Sequence, residues 1–181
     1  MTRMELINTL TGLERRGVFV LTKMNLEKLF PTEGEKSLEK SLQRMVKDGI
    51  LIRAARGVYV NALAAARHAG WMVEEVAKAL RPWQLSYVSL ESMLSEHGVI
   101  SQIPMRLTVM TTGAGGVHHT PFGTIEFTHT KRSIAAILAR TVFVKGRPLR
   151  IAKKHAALTD LLRVGRNTNL INYDEMVEEA E

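Results

Sequence analysis

The chain has 181 residues, 45% of them hydrophobic, enough for one full domain or two small ones with a packed core. Its formal charge of +7 favours a polyanionic partner, and the absence of cysteine excludes disulfides, thiolate metal sites and cysteine nucleophiles. No apolar run approaches the roughly 18 residues of a membrane span, and "MTRMELINTLTGLERRG" lacks the continuous apolar core of a signal peptide, so a cytoplasmic protein without membrane contact is expected.

Leu6, Leu10 and Leu13 have the spacing of one buried helical face over residues 5–15. Gly17 closes that helix, and Val18 to Leu21 reads as a short strand. Thr22 is placed to cap a second helix, with Leu26, Leu29 and Phe30 inward and Pro31 as its stop. Thr32 stands three residues before Glu35, the spacing of a capping box for a third helix. At about 100° per residue, Leu38, Leu42, Met45 and Val46 of that helix fall on one side. Lys36, Lys40, Gln43, Arg44 and Lys47 fall opposite, while Glu35, Glu39 and Asp48 fall on the flanks. A helix that is merely solvated mixes signs on its outer face; this one sorts them. Gly49 ends the helix. Ile50 to Arg53 and Gly57 to Val60 then read as two strands joined by a basic tip, Arg53 to Gly57.

Helix, strand, helix, helix, hairpin is the plan of a winged helix-turn-helix. In such a module the third helix enters the DNA major groove and the hairpin reaches the backbone or minor groove beside it. Lys36, Ser37, Lys40, Gln43, Arg44 and Lys47 on the helix, with Arg53 and Arg56 on the wing, are therefore the candidate DNA-binding residues. The competing reading is a protein-binding module whose lysines only solubilise it. Fold pattern, charge sorting and basic wing together favour double-stranded DNA.

Leu63 to Leu80 is an alanine-rich helix with a break at Gly70, expected to connect the two parts and pack on the second. The expected domains are thus 1–62 and 63–181. After a short extended piece, a helix capped at Ser89 ends at Gly98. Arg106 to Thr112 alternates as a strand, Gly113 to Gly116 forms a hairpin loop, and a turn follows at Pro121 to Gly123. At least one more strand lies within residues 141–152. Lys153 to Gly165 is an amphipathic helix with Leu158, Leu161 and Leu162 inward, and "YDEMVEEAE" is an acidic helix or frayed tail. This part reads as a small α+β domain with a largely antiparallel sheet, so the whole chain is α+β.

Catalytic and metal chemistry find little here. No helix follows the four glycine-rich residues from Gly113, so they lack the helix N-terminus of a phosphate loop. His118, His119 and His129 lack helical i, i+4 spacing and have only Glu126 nearby, so neither metal nor cofactor is expected. No nucleophile elbow occurs. Glu126 with Lys131 is the nearest approach to a nuclease pair, and a structural role is the better reading, so no catalytic residue and no enzyme is expected. The segment from Lys131 to Arg166 holds ten Lys and Arg against Asp160 alone. Arg147, Arg150, Lys153, Lys154 and Arg163 within it are candidates for a second surface that meets an acidic or polyanionic partner. Pairing with the five acids after Asn167 is the competing account.

In order, "LQRMVKDGILIRAARGVYV", "YVSLESMLSEHGVISQIP", "LTVMTTG" and "TPFGTIEFTHT" resemble the AbiEi family of bacterial antitoxins, over about residues 18–163. The resemblance implies a two-domain, non-enzymatic antitoxin of a type IV toxin-antitoxin or abortive infection system. Its N-terminal winged helix would repress its own operon on operator DNA, with inverted repeats accommodating a dimer. Its second domain would counter a cognate nucleotidyltransferase toxin that disables tRNA, by direct contact, at the tRNA or by another route. Carried over by position, the DNA contacts fall on Lys36, Lys40, Gln43, Arg44, Arg53 and Arg56. The basic residue that relatives carry after "TTG" is replaced here by "GAGGVHH". The alternative is a winged-helix transcriptional regulator with a ligand- or partner-sensing C-terminal domain and no toxin.

Overall fold

Residues 1–176 are described by the structure, a computed structural model. Among them it is α+β, with eight α-helices and two sheets. The chain divides into two units, Met1–Leu80 and Arg81–Glu181.

In the first unit, α1 (Arg3–Glu14) begins at a capping box in which Thr2 and Glu5 satisfy each other's backbone amides. After β1 (Val20–Thr22), a second box between Thr22 and Asn25 starts α2 (Lys23–Leu29). The third helix, α3 (Glu35–Lys47), departs from expectation. Gly34 is its N-cap and no side chain caps it, so the Thr32–Glu35 box does not form. The helix starts too late for Thr32 to reach it. Gly49, at φ +71°, turns the chain out of α3 in a conformation that a Cβ would strain.

β2 (Leu51–Ala55) and β3 (Val58–Asn61) then form an antiparallel hairpin with a bulge between Arg53 and Ala55. The tip is therefore Arg56-Gly57. Arg53 sits within the strand, opposite Tyr59, and not at the tip as expected. β3 also pairs with β1, giving the order β1-β3-β2. Leu6, Leu10, Leu21, Leu26, Leu38, Leu42, Met45 and Leu51 make one core, with Leu13, Phe30 and Val46 packed at its margin. Leu29 was expected inside but is 37% exposed. Replacing Thr22 with Ala removes the acceptor at the start of α2. It should lower stability by about 1 kcal/mol, read as a lower denaturant midpoint at unchanged slope. An unmoved midpoint would deny the cap any role.

The chain breaks near Gly70 as expected, into α4 (Ala62–Ala65), a 3-10 turn (Ala69–Trp71) and α5 (Met72–Leu80). Their placement is the correction. α5 packs on β1 and β3. Arg67 and His68 both bond Glu14 of α1, and the His68 ring stacks on Phe19 at 4.3 Å. The first unit therefore runs to Leu80, past the expected boundary at residue 62. An apolar helix face records that it needs covering, not which sheet will cover it.

The second unit contains β4 (Ser86–Val88), α6 (Leu90–Glu96), β5 (Arg106–Thr111), β6 (Gly116–Thr120), β7 (Gly123–His129), α7 (Ile134–Arg140), β8 (Thr141–Val142), β9 (Arg150–Ala152) and α8 (Lys154–Val164). The six strands form one sheet in the order β6-β7-β5-β4-β9-β8. β5 with β7 and β4 with β9 are parallel, so the sheet is mixed and not largely antiparallel. β7 lies between β5 and β6, so the glycine-rich stretch after β5 is no hairpin loop. It passes across β7, and a Cβ at Gly115 would come within 3.1 Å of the Phe127 carbonyl oxygen. α7 was not anticipated; Ser133 caps it through the Ala136 amide. On α8 the buried residues are Ala156, Ala157, Asp160 and Leu161, whereas Leu162 is 47% exposed, contrary to expectation. The acidic tail is described only through the 3-10 turn Tyr173–Met176; the rest of that segment lies outside the described residues. No helix among the described residues is long and apolar enough to cross a membrane.

Candidate nucleic-acid interface

The inward row of α3 is Leu38, Ser41, Leu42 and Met45, all buried. Fixing that row fixes the opposite one: Lys36, Ser37, Lys40, Gln43, Arg44 and Lys47 are all exposed. Lys36, Lys40, Gln43 and Lys47 make no side-chain hydrogen bond or ion pair with the described residues, so their heads are free for an external anion. Two members of the row are partly engaged. Ser37 donates to Glu33 at 2.6 Å, and Arg44 donates to the Met1 carbonyl at 3.2 Å.

α3 and the β2–β3 hairpin enclose a groove of about 660 Å³. Gln43, Arg53 and Arg56 line it together, although Arg53 comes from mid-strand and Arg56 from the turn. Lys36, Lys40, Arg44 and Lys47 lie on α3 outside this groove. The groove also holds Glu39, expected on the flank of α3, and Lys23 and Tyr59, neither of which was singled out from the sequence. Lys23 Nζ lies 2.7 Å from Glu39, 3.0 Å from Glu35 and 3.8 Å from Glu27. Hydrogen bonds to Glu39 and then Glu35 raise the Lys23 ammonium well above the usual lysine range, and the Lys23 contact holds the Glu39 carboxyl down. This one cation offsets part of the acidic flank of α3, facing Glu35 and Glu39 of that helix as well as Glu27 of its own. In the sequence it shows only as the residue after the Thr22 cap with Glu27 four positions on; its approach to Glu35 and Glu39 is made by the fold.

Of the expected basic surface of the second unit, Lys153 and Lys154 line one pocket together, while the other three residues lie outside it. Arg147 is 7% exposed and forms a two-pronged ion pair with Glu96. Arg150 donates to the Thr141 hydroxyl and carbonyl. Lys153 donates to the Ala139 carbonyl and Lys154 to that of Glu175. Arg163 remains exposed, with no side-chain partner among the described residues. The ten cations attract attention as a surface, but several are consumed in holding the unit together.

At the centre of that unit Asp160 is fully buried. Its Oδ2 accepts from the Tyr87 hydroxyl at 3.0 Å and the Ser89 hydroxyl at 2.8 Å. Its Oδ1 lies 3.1 Å from Arg132 and 3.2 Å from Arg140. Burial, and then the Asp160 charge, hold the Tyr87 phenol far above its ordinary range. Glu126 has a different employment from the nuclease role weighed for it. It accepts from Arg106 at 2.7 Å and also from Arg166, which in turn clamps Glu91, and no ion pair joins it to Lys131. Burial pushes the Glu91 carboxyl up, but the Arg166 and Asn167 hydrogen bonds bring it net below its usual value. His118 meets the edge of Phe127, His119 bonds Thr124, and His129 bonds the Gly113 carbonyl. No group of three or more potential metal-ligating side chains of the His, Asp and Glu type occurs among the described residues.

A family model described as a family of unknown function (DUF6088) matches residues 7–155. No curated protein and no solved structure matches the chain.

Proposed function

We propose, for a chain that belongs to the family of unknown function DUF6088, that the first unit is a winged helix-turn-helix that binds double-stranded DNA and represses its own operon. The observation that carries this reading is the row Lys36, Lys40, Gln43 and Lys47 on α3, without side-chain partners among the described residues and set beside a hairpin bearing Arg53 and Arg56. Cations without internal partners add affinity for phosphates without breaking a bond in the protein. Gln43, in the groove between α3 and the hairpin, is chemically suited to an adenine edge, to which a glutamine can bond twice. Lys23 offsets part of the repulsion that Glu35 and Glu39 would otherwise exert on a duplex.

The resemblance to AbiEi antitoxins extends the proposal to the second unit, which on this reading counters a nucleotidyltransferase toxin encoded alongside it. The alternative is a winged-helix regulator whose second unit senses a small ligand, and a cationic cavity in that unit favours it.

Binding of the full chain to duplex from upstream of its own gene tests the first half of the proposal. With about five cations meeting phosphates, log K should fall with log[salt] at a slope of roughly −4 to −5 per subunit. A salt-insensitive or undetectable interaction would overturn it. Co-expression with the adjacent gene tests the second half. Rescue of growth supports the antitoxin, and toxicity that the chain leaves unrelieved supports the regulator.

A further inference from the structure

A cavity of about 460 Å³ opens in the second unit beyond the carboxyl ends of β5 and β7. These strands are parallel neighbours, with Thr111 opposite His129 at their ends. Parallel strands of α/β sheets commonly present ligands at that end, where chain direction and connecting loops leave an open crevice. Met110 comes from the end of β5, Thr128 from the end of β7 and Thr130 from just beyond it. Lys131 and Arg132 follow directly, and Arg163 reaches in from the last turn of α8.

The charge in this cavity is unbalanced. Asp160 is its one acid, and that carboxylate is already shared by Arg132 and Arg140 and bonded by Tyr87 and Ser89. Lys131 and Arg163 have no side-chain partner among the described residues. Arg132 Nη1 also makes no hydrogen bond among the described residues. The carboxyl end of α8 contributes only about half a negative charge, less than the two unpaired cations supply. The threonine hydroxyls offer neutral donors beside them. The volume exceeds what a bare oxyanion fills and lies in the range of small-molecule sites, about 300–1,000 Å³. Apolar side chains, Met110 and Val164, provide surface for an organic scaffold.

We infer that this cavity binds a phosphate ester of nucleotide size, with Lys131 and Arg163 neutralising the phosphate. Its source is either a free nucleotide or the phosphorylated end of a nucleic-acid strand. The inference stands on the second unit alone and does not require the first to bind DNA.

The full chain would be titrated, at matched ionic strength and without sulfate, with inorganic phosphate, nucleosides, nucleoside monophosphates and short RNA with and without a 5′-phosphate. Nucleoside monophosphates should bind and raise the Tm, while unphosphorylated nucleosides should not. The double variant Lys131→Ala/Arg163→Ala should lose at least about ten-fold in affinity, since each charged contact carries a substantial share of the binding. Both side chains are exposed, so the unliganded Tm should be unchanged, and Lys131→Gln alone should show the same loss in weaker form. Lys40→Ala/Lys47→Ala should bind nucleoside monophosphates like the wild type, which separates this site from α3. A mononucleotide that binds while the strand gains nothing from its 5′-phosphate identifies the free nucleotide; a gain from the strand's 5′-phosphate that Lys131→Ala/Arg163→Ala abolishes identifies the strand end. No binding of any phosphorylated probe at millimolar concentration, or full binding by the double variant, would overturn the inference.

Discussion

Replacing Asp160 with Ala is expected to remove about 3–5 kcal/mol from the second unit, the range for breaking a buried ion pair from one side. The argument starts from exposure. Asp160 is fully buried, and the side chains of Arg132 and Arg140 are only 12% and 19% exposed. Removing the carboxylate leaves two guanidiniums without their counter-charge, in a site that water reaches poorly. The Tyr87 and Ser89 hydroxyls lose their acceptor at the same time. One detail places the loss toward the lower end. The contacts at Oδ1 are close enough for ion pairing but lack hydrogen-bond geometry, so less bond energy is forfeited there. Even about 3 kcal/mol is a large part of the 5–15 kcal/mol of a typical domain, so the second unit should melt well before the first. Chemical denaturation should show two separated transitions in the variant. Asp160→Asn, which keeps an acceptor for Tyr87 and Ser89, should fall between wild type and Ala. Simultaneous Asp160→Leu, Arg132→Met and Arg140→Met should recover much of the loss, because no charge is then stranded. A loss below about 1 kcal/mol in Asp160→Ala would mean that the guanidiniums escape to water and that the cluster is not a structural hub.

That cluster also marks where sequence reading stops. Asp160 stood out as the lone acid among ten cations, yet its burial was hidden. The helical pattern placed Leu158, Leu161 and Leu162 inside, because apolar residues are the usual occupants of a buried stripe. Here Arg132 and Arg140, from the segment before α7 and from its last turn, approach α8 and select a carboxylate for that stripe instead. Long-range charge partners of this kind leave no periodic trace. The same holds for pairing in the second sheet. Alternation announced β5, but its parallel pairing with β7 depends on a connection that skips one strand, and only the close pass at Gly115 records it. α3 was legible for the opposite reason. Its buried row is set by local spacing, its exposed row follows by rotation, and both lie within thirteen residues. Where a glycine took the cap position, even this local reading erred.

Replacing Lys36, Lys40 and Lys47 together with Ala should weaken binding to duplex DNA by about a hundred-fold or more, while leaving the melting temperature within error. None of the three has a partner within the described residues, so their loss breaks no bond in the folded chain. The effect should also be nearly independent of DNA sequence, because phosphates carry no base information. If each lysine releases one counterion, the salt slope should flatten by about 0.9 per lysine, or roughly 2.7 in all. Gln43→Ala should behave in the opposite manner. It removes no charge, so the slope should hold, while discrimination between the operator and a scrambled duplex should shrink by about 1–3 kcal/mol. Arg56→Ala at the hairpin tip belongs with the lysines if the wing grips the backbone, and with Gln43 if it reads the minor groove. The two observables, slope and discrimination, therefore sort every residue of the interface into a positioning or a reading role. An unchanged slope in the triple variant would show that α3 does not face the phosphates. The cationic row would then be a solubilising surface, and the assignment of the first unit to DNA would fall with it.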